Sequence, residues 1–215
     1  MWCFHLVRWI LGRAAQLVGV LLSRRRCAAC AALVRARAIF CPTCALTVEW
    51  AEGDPPRAAA RFGGAVRAAI TRLKYEGHAE LAAPLAHLAL HRLRELDEPR
   101  FDAVVPVPLH PARLATRGFN QCSLVAAVIA RQLGARHLPR ALRRTRATET
   151  QASLGRAQRL ENVRGAFAAR VRFAGERVLL VDDVTTTGAT IAAAADALRL
   201  AGAGEVVCFS IAEQS

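Results

Sequence analysis

Apolar positions along the chain follow two spacings. Val178-Leu179-Leu180-Val181 is an unbroken run of four, the pattern of a short strand buried on both faces. Asp102 to His110 gives another strand, closed by Pro106 and Pro108, which cannot continue pairing. Glu205 to Ile211 reads as the last strand. Elsewhere the spacing lengthens to three and four. Val66, Ile70 and Leu73 mark one helix, which the stretch 74–78 breaks. Lys74 there either faces an anionic ligand or closes the helix at its C-terminus. Leu81, Leu85, Leu88 and Leu93 mark a second helix, and Leu124, Val125, Val128, Ile129 and Leu133 a third. Ile191, Ala194, Ala195, Leu198 and Leu200 mark a fourth. Strands and helices in this order predict an α/β domain.

Three stretches fall outside these patterns. Residues 1–24 are apolar but broken by Arg8, Arg13 and Gln16, too short a run to span a bilayer. They read as an amphipathic extension that packs on the domain or rests on a membrane face, or as residues added by a mis-assigned start. Residues 51–60 contain Gly53, Pro55 and Pro56 and read as a linker. Between Arg140 and Arg172 there are nine arginines and two acidic residues, with little periodicity before Leu160.

Composition sharpens this picture in two places. The 215 residues suffice for one α/β domain and a small module, with 53% hydrophobic residues to build a core. Thirty Lys+Arg against seventeen Asp+Glu give a formal charge of +13, which favours polyanions: nucleic acid, nucleotides or anionic membrane surfaces. Four of the seven cysteines form two pairs, Cys27-x-x-Cys30 and Cys41-x-x-Cys44, ten residues apart. Two such turns facing each other make a tetrahedral four-thiolate site that suits structural zinc, so residues 25–50 read as a zinc-ribbon-like module. Cys3, Cys122 and Cys208 are left without a partner by pattern, which points to a reducing, cytoplasmic compartment.

The chemistry concentrates after Val181. Asp182 and Asp183 stand at the end of the buried run, followed by Thr185 to Thr190 with one glycine, then a helix. Ligands of open α/β sheets bind beyond the carboxyl ends of the strands. A turn entering a helix presents free N–H groups and positive potential to a phosphate, and threonine hydroxyls add donors. Carboxylates repel phosphate but accept hydrogen bonds from sugar hydroxyls or hold a metal ion. A phosphate beside a diol describes a ribose 5-phosphate. The absence of Gly-Lys-Ser/Thr after the turn excludes a Walker-type loop. A second anion site follows the 102–110 strand, where Arg113 and Arg117 offer guanidinium forks.

Val178 to Thr190 resembles the phosphoribosyl-pyrophosphate (PRPP) motif of type I phosphoribosyltransferases. The resemblance narrows with the four-cysteine module, Leu73-Lys74-Tyr75, Val105-Pro-Val-Pro108, Arg117-Gly-Phe-Asn-Gln121, Gln151 and Asn162-Val163-Arg164-Gly165-Ala166-Phe167. In that order they resemble the ComF family, phosphoribosyltransferase-like proteins associated with bacterial competence for DNA uptake. The resemblance covers roughly residues 25–213 and implies a type I phosphoribosyltransferase fold over 61–215, a mainly parallel sheet flanked by helices. It implies that Asp182 and Asp183 hold the ribose hydroxyls of PRPP, which arrives with Mg²⁺. Thr186, Thr187, Gly188, Ala189 and Thr190 would then hold the 5-phosphate, and Arg113 and Arg117 the pyrophosphate. The arginine-rich stretch takes the place of a loop closing over PRPP, with Arg143, Arg144, Arg146, Arg156 and Arg159 as its cations. Phosphoribosyl transfer to an unidentified acceptor is one expectation. A PRPP or nucleotide sensor that handles single-stranded DNA, or contacts DNA-uptake proteins, is the other.

Overall fold

The computed structural model describes residues 25–35, 38–53, 57–96, 100–146 and 165–214. The amphipathic extension over 1–24 lies outside the described residues, as do Gln151, Arg156, Arg159 and Asn162 to Arg164. No helix among the described residues is long and apolar enough to cross a membrane.

Five parallel strands form the central sheet in the order β3-β9-β8-β4-β5. They are β3 (Ala58–Arg61), β4 (Ala103–Pro106), β5 (Arg136–His137), β8 (Arg177–Thr185) and β9 (Glu205–Glu213). Two antiparallel ribbons stand apart: β1 (Arg25–Arg26) with β2 (Leu33–Val34), and β6 (Leu142–Arg144) with β7 (Phe167–Ala169). Six α-helices complete the described residues: α1 (Pro42–Ala45), α2 (Gly64–Tyr75), α3 (Ala82–Leu93), α4 (Pro111–Arg117), α5 (Gln121–Leu133) and α6 (Ala189–Leu200).

Strand alternation divides the core. Leu179 and Val181 point into one apolar layer with Ile70 and Leu73 of α2, Leu85 and Leu93 of α3, and Val125 and Ile129 of α5. Val178 and Leu180 point into the other, with Ile191, Ala194, Ala195 and Leu198 of α6. Every one of these is buried. Leu200, expected on the buried side of α6, is 89% exposed, because the helix ends there and its apolar stripe runs out.

The expected 51–60 linker needs correction. Ala58 to Arg61 is the edge strand β3, paired with β9. Trp50 bridges to Ala60, and the Ala51 N–H donates to the Ala59 carbonyl at 3.3 Å. Three consecutive alanines carry no β-branched signal, yet their small size lets the strand bury completely. The strand at Ala103–Pro106 is therefore the second of the sheet in chain order.

The sheet is asymmetric at its carboxyl end. β8 has nine residues and pairs with β9 as far as Thr185↔Glu213, but with β4 only as far as Pro106↔Val181. Pro106 and Pro108 lack the N–H that further pairing requires. The last four residues of β8 therefore overhang their neighbour.

Candidate functional site

Asp182 and Asp183 lie on this overhang, inside the strand and not after it, and both are buried. Buried carboxylates require partners, and residues from two helices supply them. Lys74, in the last turn of α2, reaches Asp183 Oδ1 with its Nζ at 2.8 Å. Gln121, the first residue of α5, donates through Nε2 to Asp183 Oδ2. The Asp182 Oδ1 accepts the Asp183 backbone N–H at 2.9 Å and the Cys122 thiol at 3.5 Å.

These contacts set the charges. Burial pulls the Lys74 pKa down, but the Asp183 carboxylate overcomes this and holds it above the ordinary lysine value. Burial, reinforced by the charge of Asp183, raises Asp182 to about 7. The Cys122 thiol is pushed well above its usual range by burial and then by both carboxylates. The ligand atoms of Cys122, Asp182 and Asp183 lie within 4.8 Å of one another.

Lys74, Gln121 and Cys122 are not predicted at the acidic pair by any sequence pattern. Lys74 does more than close its helix, and the anion it faces belongs to the protein itself, a carboxylate 109 residues along the chain. The signal that the sequence does carry is Gln121, a polar residue on the first turn of a helix whose following positions are apolar.

The turn follows directly. Thr186 is exposed, Thr187 and Gly188 are half-buried, and Gly188 adopts φ 76°, a left-handed conformation that glycine takes without strain. Ala189 begins α6 and donates its N–H to Thr187 Oγ1 at 3.4 Å. The N–H groups of Thr190 and Ile191 fall in the first turn, which has no carbonyl of its own helix to receive them. All five residues of the expected phosphate turn thus lie together at the end of β8.

The two arginines expected to act together interact with different residues. They occupy a short helix, α4, directly after the strand. Arg117 donates from Nη1 to Gln121 Oε1 at 2.6 Å and lies 5.1 Å from the ring centroid of Tyr75, on the Asp183 side. Arg113 instead stands near Arg144: burial and the charge of Arg113 lower the Arg144 pKa, while Asp182 raises it. Of the cations of the arginine-rich stretch, Arg143, Arg144 and Arg146 are described. Arg144, in the stem formed by β6 and β7, is the one set against Arg113 and Asp182, with its guanidinium 5.4 Å from the Phe167 ring centroid.

The four cysteines form a second cluster. Cys27, Cys30, Cys41 and Cys44 place their sulfurs within 4.8 Å of one another, and Cys30 and Cys41 are 3.7 Å apart. Tetrahedral bonds of about 2.3 Å would set sulfurs about 3.8 Å apart, so the spacing fits a metal ion. Burial works against the Cys27 thiolate, but backbone N–H groups of Cys30, Cys41 and Ala29 outweigh it and lower its pKa to about 6. Burial and the neighbouring sulfurs push Cys44 up to about 12. The module is joined firmly to the domain. Cys27, Ala28 and Phe40 share the core of α2, α3 and α5. Arg72 Nη1 donates to the Ala28 carbonyl at 2.9 Å and the Cys27 carbonyl at 3.4 Å. Thr47 Oγ1 accepts the Ala65 N–H at 2.9 Å, and a Cβ on Gly64 would meet the Thr47 carbonyl oxygen at 2.4 Å.

Comparison with known proteins agrees with this architecture. Residues 120–215 match the phosphoribosyl transferase domain family. The DNA utilization protein YhgH of Salmonella typhi is 33% identical over 196 residues, which cover 84% of this chain and 86% of that protein. Competence protein F of Haemophilus influenzae is 32% identical over 66% of each chain, and competence protein ComFC of Streptococcus pneumoniae 32% identical over 80% of this chain and 74% of that one. A parallel sheet with a transferase-type domain, preceded by clustered cysteines and related over most of its length to these proteins, places the chain in the ComF family of competence and DNA-utilization proteins.

Proposed function

We propose that this protein binds PRPP with its Mg²⁺ at the overhanging end of β8 and transfers the phosphoribosyl group to a nitrogen acceptor. One observation carries the reading: a buried acidic pair and a glycine-kinked, hydroxyl-bearing turn into a helix are consecutive on one strand that outruns its neighbour. The acidic pair, Asp182 and Asp183, takes the ribose diol. Thr186, Thr187, Gly188, Ala189 and Thr190 take the 5-phosphate through N–H and hydroxyl donors. Arg113 takes the pyrophosphate, and Arg144 is added to it from the β6–β7 stem. Arg117, already held by Gln121 and Tyr75, shapes the opposite wall and reaches the pyrophosphate only if that contact opens. In transfer, the bond from the anomeric carbon to the pyrophosphate oxygen breaks as the acceptor nitrogen bonds to that carbon. Cations on the departing oxygens favour this step. The four cysteines hold a structural zinc ion, which stabilises residues 25–50.

Calorimetric titration with PRPP and Mg²⁺ tests the site. Saturable binding that disappears in Asp182→Asn/Asp183→Asn supports it, and pyrophosphate release in the presence of trial acceptors then tests transfer. A wild type that binds no PRPP sinks the reading.

The names of the relatives favour a second role: handling single-stranded DNA, or contacting DNA-uptake proteins, on the cytoplasmic side with residues 1–24 resting on the membrane. The charge of +13 supports it. Salt-dependent binding of oligonucleotides by a protein that also binds PRPP would join the two roles.

A further inference from the structure

The two carboxylates are not equivalent. Successive residues of a strand face opposite sides. By alternation Asp183 follows Leu179 and Val181, toward α2 and α5, and Asp182 follows Leu180, although its carboxylate still meets Cys122 of α5. Both oxygens of Asp183 are engaged by the protein, one by Lys74 and one by Gln121. Of Asp182, Oδ1 accepts from Cys122 and the Asp183 N–H, while Oδ2 has no hydrogen bond among the described residues.

Lys74 is an unusual partner to find here. Its side chain is 16% exposed, and an ammonium so far from water persists only beside an opposite charge. The spacing of Cys122, Asp182 and Asp183 is one that a metal ion could bridge. Lys74 already supplies a positive charge to that cluster, from the last turn of α2. Without such a charge, two adjacent carboxylates repel more strongly.

We propose that Lys74 is the built-in cation of the acidic pair and a positioning residue for the ligand. It neutralises Asp183 and draws it to the α2 side, so that Asp182 is the carboxylate presented to the ribose hydroxyls. This rests on the PRPP reading above. It divides the roles of two residues that the motif alone treats as a pair.

The test is a set of PRPP·Mg²⁺ affinities on the full chain, with thermal unfolding of each variant as a check on folding. Asp182→Asn should weaken PRPP about 50-fold or more, the loss of charge-assisted hydrogen bonds to the ligand. Lys74→Met should weaken it about tenfold, because an unneutralised Asp183 then competes with the ligand for position and charge. Adding Asp183→Asn to Lys74→Met should recover most of that tenfold, since the charge left without a partner is gone. A merely structural lysine predicts the reverse, with the second substitution adding to the first. Lys74→Arg, which keeps the charge, should bind better than Lys74→Met. The proposal is overturned if the double variant binds no better than Lys74→Met, or if Asp183→Asn alone costs as much as Asp182→Asn. If these fail while the wild type binds PRPP, the PRPP reading stands and the role of Lys74 falls. If the wild type binds none, both fall.

Discussion

Two clusters in this molecule have the ligand spacing of a metal site, and they are balanced in opposite ways. Around Cys27, Cys30, Cys41 and Cys44 the described chain supplies sulfurs and backbone N–H groups but no cationic side chain at the centre. Around Cys122, Asp182 and Asp183 it supplies Lys74. The first stands on short loops and a four-residue helix, docked on the domain through Cys27, Ala28, Phe40 and Arg72. The second stands on the nine-residue strand at the middle of the sheet. Similar spacing thus serves different ends. The cysteine cluster has the donor set of a closed structural metal site. In the carboxylate cluster Lys74 and Gln121 engage both oxygens of Asp183 within the protein.

The largest effect should come from the cysteines. Removing the metal with a strong chelator, or substituting Cys41→Ala, should abolish one bound metal per chain. It should also lower stability by several kcal/mol, within the ~10 kcal/mol scale of structural zinc sites. Metal analysis together with thermal melting checks this, and an unchanged melting curve after chelation would break the comparison at its root. Next is Lys74→Met, which strands a buried carboxylate and should cost about 3 kcal/mol in denaturant unfolding. A loss under about 1 kcal/mol, the scale of an exposed ion pair, would show that the pair is looser than its 2.8 Å contact implies.

The third effect depends on pH. The carboxyl of Asp182 is raised in the folded protein to about 7, so protonation favours folding. That contribution is full below the unfolded-state value near pH 4 and is lost as pH rises through about 7. Asp182→Asn should therefore be more stable than wild type by a few kcal/mol at pH 9, with the gap closing toward pH 4. Melting curves across that range decide it, and a gap independent of pH would refute the raised carboxyl. The smallest effect sharpens the contrast between clusters. Cys122→Ser should change stability by no more than about 1 kcal/mol and leave the metal content at one per chain, where Cys41→Ala removes it. Loss of metal on Cys122→Ser would mean that the ion sits at the carboxylates.

Much of the molecule is legible along the chain because it is local. The run Val178 to Val181, the acidic pair, the turn and the helix after it are contiguous, and their order carries the ligand chemistry. The two Cys-x-x-Cys pairs are likewise short-range. What escapes a linear reading is long-range. Gln121 and Lys74 reach Asp183 across 62 and 109 residues, and no spacing rule connects them. The overhang of β8 is partly visible, since Pro106 and Pro108 stop β4, but where β9 ends is not written in β8 itself. Alternation along β8 is enough by itself to assign Asp182 and Asp183 to different faces. β3 escapes because three alanines carry no strand signal, and only the pairing with β9 and the Trp50–Ala60 bridge distinguish them.

Helix α2 gives these observations a shared consequence. Arg72 ties its end to the carbonyls of Cys27 and Ala28, and Lys74, two residues on, ties the same turn to Asp183. At its beginning Gly64 is pressed against Thr47 so closely that a single methyl would collide. The helix, about 18 Å long at 1.5 Å per residue, is thus a stay fastened to the cysteine module at both ends. Whatever unseats the cysteines slackens the turn that aims Lys74. On the zinc and PRPP readings proposed above, a chain made without the metal should also bind PRPP more weakly, with no residue of that site altered.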